Sequence, residues 1–209
     1  LENYFVTQGR EWERYAWIKA RPLTGVRHDE LEGIRQPFVF RKYFDFGAIN
    51  AMRELHAQIR REVAKKDMAD NVKLGPGGIR EIEFIAQVFQ LIRGGRDTPL
   101  QVKPTQRVLS LLGERGILGL DAAEELASAY GFLRRLEHRL QYLDDAQTHS
   151  LPTGLDDRRR VARAMGFASF EALLEELDDH RATVSQHFEQ VFADPNQGRH
   201  ALAVAARVA

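Results

Sequence analysis

The sequence predicts an all-α protein, an antiparallel bundle of about six to seven helices. Three observations carry this. Apolar residues recur at helical spacing through most of the 209 residues. Proline and glycine fall mainly between those stretches. No internal repeat and no convincing run of alternating polar and apolar residues is present.

The elements follow in order. Phe5 to Arg21 carries Trp12, Tyr15, Ala16 and Ile18 and is stopped by Pro22. A polar, glycine-containing connection comes next, with a short apolar piece at Phe38-Val39-Phe40. Asp45 to about Lys66 places Phe46, Ile49, Met52, Ile59 and Val63 at helical spacing. A helix from Gly78 to Arg93 ends at Gly94-Gly95. A loop bounded by Pro99 and Pro104 leads to a helix over Thr105–Arg115, closed by Gly116.

Asp121 reads as an N-cap, with Glu124 three positions on to complete a capping box. That helix runs to about Asp145 behind the stripe Leu126, Tyr130, Leu133, Leu136, Leu140 and Leu143. A helix over about Asp156–Met165 follows Pro152 and Gly154. Ser169 caps a last long helix along Phe170, Leu173, Leu174, Leu177, Val184, Phe188 and Val191. Pro195, Asn196 and Gly198 end it, and the Ala/Val-rich tail 200–209 reads as the start of a linker.

Composition excludes several function classes. Lys+Arg and Asp+Glu both number 30, which argues against a dedicated nucleic-acid binder. Apolar residues at 44% and charged residues at 29% give a globular balance. Without cysteine, disulfides, thiolate catalysis and cysteine-based zinc sites are excluded. No apolar run is long enough to span a membrane. The opening Leu1-Glu2-Asn3-Tyr4-Phe5 is neither a signal peptide nor an initiator context, so the chain is expected to begin inside a longer protein.

The most informative stretch is Asn71 to Phe84. Lys73 and the glycines Gly75, Gly77 and Gly78 lead straight into a strongly apolar helix. A helix start presents unpaired N–H groups and the positive end of its dipole. Beside Lys73 and Arg80 such a terminus suits an anion, phosphate above all. The same glycines equally suit close helix packing or a tight entry into the helix, and both readings stand. The loop is neither a Walker A motif nor a dinucleotide fingerprint.

On a helical wheel Arg80, Glu83, Gln87 and Gln90 fall in an arc of about 80°. Apolar residues fill most of the rest, which makes the helix central with one narrow polar stripe. Glu81 lies inside the apolar arc, so its carboxylate needs a cation or hydrogen-bond donors. It reads either as a structural ion-pair partner or as a group orienting Arg80 or Lys73. Arg14 and Arg21 share a face of the first helix and read as a solvated charged face. Arg158-Arg159-Arg160 is too short a basic run for nucleic acid, and the scattered histidines, His28-Asp29 included, offer no metal-ligand spacing.

Several segments resemble the glutamine synthetase adenylyltransferase/adenylyl-removing enzyme family. They are Gln8 to Arg21, Pro37 to Tyr43, Lys73 to Ile85, Leu91 to Arg96 and Phe132 to Glu137, and the resemblance runs to about Asp194. The family's two related halves attach AMP to a tyrosine of glutamine synthetase with ATP and Mg2+, and remove it by phosphorolysis giving ADP. Gly9-Arg10-Glu11-Trp12-Glu13-Arg14-Tyr15-Ala16 and the Arg80-Glu81-Ile82-Glu83 run look like the N-terminal, adenylyl-removing half.

The resemblance implies a cytoplasmic protein with glutamine synthetase, the PII signal protein and other domains of the same polypeptide as partners, and neither nucleic acid nor membrane. It implies residues 1–40 as the end of the nucleotidyltransferase core or a connecting helix, 41–195 as the helical bundle and 196–209 as a linker or tail. Lys73, Gly77, Gly78 and Arg80 would lie near phosphate or nucleotide. Arg14, Lys19 and Arg21 are weaker candidates facing the core, and Glu81 and Glu83 are orienting or structural acids. The family's metal-binding Asp-x-Asp constellation is absent; Asp144-Asp145, Asp156-Asp157 and Asp178-Asp179 are adjacent pairs on expected helices. The chain alone is therefore expected to hold no catalytic residue, metal or nucleotide, and to be inactive. A regulatory scaffold that docks glutamine synthetase or PII is the alternative expectation.

Overall fold

The computed structural model describes residues 1–42, 54, 57, 61, 68–143 and 148–192. Among these it contains eight α-helices and no strand. They are α1 (Glu2–Thr7), α2 (Glu11–Ile18), α3 (His28–Val39), α4 (Ile79–Arg93), α5 (Thr105–Glu114), α6 (Leu120–Gln141), α7 (Leu155–Met165) and α8 (Phe170–Phe192). A 3-10 turn at Thr98–Gln101 joins α4 to α5. The all-α expectation holds. Most of the helix expected over Asp45–Lys66 lies outside the described residues, although Glu54, Ala57 and Arg61 are helical.

The central element is α4. Ile79, Ile82, Phe84, Ile85, Val88, Phe89 and Leu91 are all buried, so apolar contact surrounds most of its circumference. It packs against α5, α6 and α8. Leu126, Leu133, Leu136 and Leu140 form the buried stripe of α6. Leu173, Leu177, Val184, Phe188 and Val191 do the same for α8, and the rings of Phe84, Phe188 and Phe192 meet between α4 and α8. The extensive α5–α6 contact forms a helical hairpin across the short connection at Gly116. One continuous core runs through these layers and reaches Phe5, Ile18 and Phe38 of the first three helices.

Four expectations need correction. The first helix is two, because the chain breaks at Gln8-Gly9-Arg10. A side chain on Gly9 would meet the Phe38 ring at 2.5 Å, so the break lets α1 lie against α3. There Phe5 and Phe38 stack with centroids 4.0 Å apart. The connection around Phe38-Val39-Phe40 is not a connection but α3, whose Gly33 and Pro37 hide its helical character. Pro37 lies in the last turn and costs α3 one helix bond, since it has no N–H to donate to the Gly33 carbonyl.

The α6 start is the third. The helix begins at Leu120 with Gly119 as N-cap and no side-chain cap bond, so Asp121 and Glu124 form no capping box. It also ends at Gln141, short of Asp145. The fourth is the charged face of the first helix, described with the site below. Ser169 does cap α8: its hydroxyl accepts the Ala172 N–H at 3.1 Å.

Candidate functional site

The loop before α4 is built by its own backbone. Asn71 is buried and its side-chain oxygen accepts the N–H groups of Lys73 and Leu74, at 3.0 and 2.8 Å, in an Asx turn. An isolated antiparallel bridge pairs Asn71 with Ser150. The Val72 N–H donates to His149 O at 2.8 Å and the Leu151 N–H to Asp70 O at 3.1 Å. These bonds carry residues 149–151 to the start of α4. No period-two pattern in the sequence announces that pairing, because two or three residues cannot establish one.

The amides at the helix start are spent. The N–H groups of Gly78, Ile79, Arg80 and Glu81 donate to the carbonyls of Gly75, Val72, Lys73 and Gly78. The Gly77 N–H donates to the Glu81 carboxylate at 3.0 Å. The unpaired donors expected for a phosphate are therefore satisfied inside the chain, where a buried amide has to find a partner. The glycine at position 77 has a packing reason. Its φ is +65°, and a side chain there would sit 2.2 Å from the carbonyl oxygen of Arg181 on α8.

What faces outward is a seam of side chains. Glu81 is buried, whereas Lys73, Arg80 and Glu83 are half-buried. The Tyr130 hydroxyl donates to Glu83 at 3.1 Å, and the Thr105 side chain also bonds to it. Lys19 donates to Thr105 Oγ1 at 3.1 Å and to the Lys103 carbonyl. Burial lowers the Lys19 ammonium from its ordinary value, opposed by the Glu83 charge. Burial raises the Tyr15 phenol strongly, with Glu83 adding to the rise and Arg80 opposing it. It raises Tyr130 likewise. Further along the α4 stripe Gln87 and Gln90 are buried. Gln90 donates to Leu100 O and Val102 O at 2.6 and 2.7 Å, fastening the 3-10 turn.

Two turns along α6 from Tyr130 lies Glu137, whose side chain is 1% exposed. Lys73 Nζ is 3.4 Å from its Oε1, and His149 Nδ1 is 3.1 Å from the same atom. The His149 Nδ1 is buried there and makes no hydrogen bond. Arg134 holds the other oxygen. The sequence motif Phe132 to Glu137 contained Arg134 and Glu137, but nothing in it assigned them to Lys73. Lys19, Arg80, Lys73 and Arg134 against Glu81, Glu83 and Glu137 leave the seam with one positive charge in excess, which suits a phosphate-bearing ligand.

The remaining candidates separate. Arg14 is no surface group: it is buried, and donates from Nε to Phe38 O and from Nη2 to Val39 O at 3.1 and 3.0 Å. The solvated-face reading fails for it because those carbonyls end α3 with no partner along the helix. Arg21 is exposed. No group of three metal-ligating side chains gathers among the described residues. A cavity of about 350 Å³ lies between α1 and α3, lined by Phe5, Val6, Ile34 and Pro37, away from the seam.

Comparison with known proteins agrees with the sequence motifs. Over 202 residues, 97% of this chain, it is 67% identical to a protein of Aromatoleum aromaticum. That protein is called bifunctional glutamine synthetase adenylyltransferase/adenylyl-removing enzyme. Proteins of the same name from Chromobacterium violaceum and Ralstonia nicotianae are 59% and 54% identical over 94% and 93% of the chain. The chain spans about a fifth of their length: 22%, 22% and 23%. A sequence model of the family described as GlnD PII-uridylyltransferase matches residues 53–192, from within the segment before the glycine loop to the end of α8. The chain belongs to that family.

Proposed function

We propose that this chain is the helical part of an enzyme that attaches AMP to glutamine synthetase from ATP and removes it by phosphorolysis. It belongs to the adenylyl-removing half. Residues 1–40 join the catalytic core, 41–195 form the bundle and 196–209 lead into a linker. The relatives' shared name supports the activity. The observation that carries the role of this stretch is the cationic seam where α2, α4 and α6 meet.

Lys73 and Arg80 present charge toward a phosphate, and Lys19 extends the seam. Their backbone amides take no part, since each is bonded within the chain, Arg80 to Lys73 O, Lys73 to the Asn71 side chain and Lys19 to Trp17 O. Glu83, fixed by Tyr130, keeps Arg80 and Lys19 from facing one another without a counter-charge. Gly77 and Gly78 act through shape: they let α4 enter the bundle directly under the two cations. Arg14 serves the fold, and Arg21 remains available to a neighbouring domain.

The described residues do not fit Mg2+, which needs a set of hard oxygen ligands. Its carboxylates are assigned to the core outside this stretch, and the chain alone does not transfer AMP. The protein acts in the cytoplasm. Among the described residues no helix is long and apolar enough to cross a membrane.

The test is AMP removal from adenylylated glutamine synthetase by the full-length polypeptide carrying Lys73→Ala or Arg80→Ala. Each should lower the rate at least tenfold, about 1.4 kcal/mol of transition-state stabilisation. Unchanged rates in folded variants would overturn the role.

A second reading has its own observation. Tyr4, Val6, Trp12, Leu23 and Val26 are all exposed in the first part of the chain. That number of exposed apolar groups within one stretch favours a docking surface for glutamine synthetase or PII. Saturable binding of either protein, lost in Trp12→Ala and retained in Lys73→Ala, would select this reading.

A further inference from the structure

We propose that Lys73, Arg134 and His149 form a phosphate-binding site whose geometry is set by Glu137. The proposal deepens the functional reading above and rests on it. Glu137 is a buried carboxylate with three nitrogen groups within ion-pair reach, brought from the glycine loop, from α6 and from the 149–151 bridge segment. One carboxylate neutralises one positive charge. Lys73 and Arg134 are both cations at neutral pH, and the imidazole adds a polar nitrogen beside them.

The surplus charge faces outward. Glu137 is 1% exposed, whereas Lys73 and Arg134 are 36% and 35% exposed. The acid therefore lies beneath the two cations, holds their nitrogens together, and leaves their other donors toward solvent. Lysine carries three donors and arginine five, of which the Glu137 contacts use a minority. Arg134 Nη2 also lies 3.4 Å from His138 Nε2, which steadies the guanidinium plane. A guanidinium beside an ammonium matches the fork and point-charge geometry that proteins use for phosphate.

An anion of charge between one and two would replace the missing counter-charge without displacing any backbone bond. The group is inorganic phosphate or the terminal phosphate of a nucleoside diphosphate, since both offer the same oxygens. Arg80 lies on the Glu83 side of the seam, so this site adds residues that the functional reading did not use.

Calorimetric titration of the 209-residue chain, first with sodium phosphate and then with ADP, tests the site. Saturable binding to one of them, weakened at least about fivefold by Arg134→Gln and by His149→Gln and reduced by added chloride, is expected. Arg134→Lys should fall between, because it keeps the charge and loses the fork. Binding of phosphate assigns the site to the free anion; binding of ADP alone assigns it to the nucleotide. Circular dichroism identifies unfolded variants, in which case Arg134→Lys and His149→Gln decide. Absence of binding by both ligands, or binding that all these folded variants leave unchanged, overturns the site. If AMP removal still depends on Lys73 and Arg80 in the full-length polypeptide, only this site has failed; if it does not, the functional reading has failed.

Discussion

Arg14 and Arg35 cap each other's helices. Arg14 on α2 donates to the terminal carbonyls of Phe38 and Val39 on α3. Arg35 on α3 donates to the Trp17 carbonyl at the end of α2, at 3.0 Å. Both are 3% exposed. Carbonyls at a helix end lack the regular partner four residues on and carry the negative end of the dipole, so each buried cation finds its counter-charge there. Trp17 O also accepts the Ala20 N–H at 3.2 Å. Glu32 adds a carboxylate for Arg35.

Replacing Arg14 by Met should therefore destabilise the protein by about 2 kcal/mol, because two buried acceptors lose their donor. Urea unfolding gives the total. Hydrogen exchange should show the loss in α2 and α3 first and leave α6 and α8 protected. Arg21→Ala, on an exposed side chain, should change stability by no more than about 0.5 kcal/mol.

Gly77 and Gly116 offer a matched pair. Their φ angles are +65° and +62°, but a side chain at Gly77 would collide with the Arg181 backbone whereas at Gly116 it would meet nothing within 4 Å. Gly116→Ala should cost about 1 kcal/mol, the left-handed backbone penalty alone. Gly77→Ala should cost about 3 kcal/mol, since overpacking is added. Equal urea midpoints for the two variants would contradict the packing role of Gly77.

Gln90 is fully buried and holds Leu100 O and Val102 O. Leucine at this position fills the volume and removes both donors, so Gln90→Leu should lose about 2 kcal/mol. Hydrogen exchange should increase at the 3-10 turn before it increases in α4.

Acid should loosen the first three helices. Glu13 is held below its ordinary 4.5 by the Tyr4 hydroxyl first and the Arg10 amide second. Glu32 is held below 4.5 mainly by its hydrogen bond to Arg35. A carboxylate whose folded value is depressed contributes stability above the unfolded value and loses it as pH falls through the folded one. Stability from this pair should thus be level down to about pH 4.5 and decline below it. Both tryptophans of the chain, Trp12 and Trp17, lie in α2, so their fluorescence reports the change. Tyr4→Phe should lower stability at neutral pH and flatten the acid decline.

Much of the architecture was legible in the residues. The apolar periods of α4, α6 and α8 are local and strong, and they correspond to buried stripes because a helix with that pattern must turn that face inward. The break at Gly9 and the helix around Gly33 and Pro37 were not legible. There tertiary packing overrides local propensity: a ring stack with Phe38 sets the one, and Arg14 at the last carbonyls supports the other.

The site divides in the same way. By itself the sequence determined that Lys73 and Arg80 stand at the mouth of a central helix, and that Glu81 lies on its apolar face. Packing of distant segments settled the rest: the amides at that mouth are already used, Arg14 is an internal cap, and Lys73 and His149 meet at Glu137. Helical periodicity is written within a few residues, because each turn repeats one local geometry. The partner of a polar side chain is chosen by which distant segments burial brings together, and residues 73, 137 and 149 acquire a common chemistry only when the chain has closed around them.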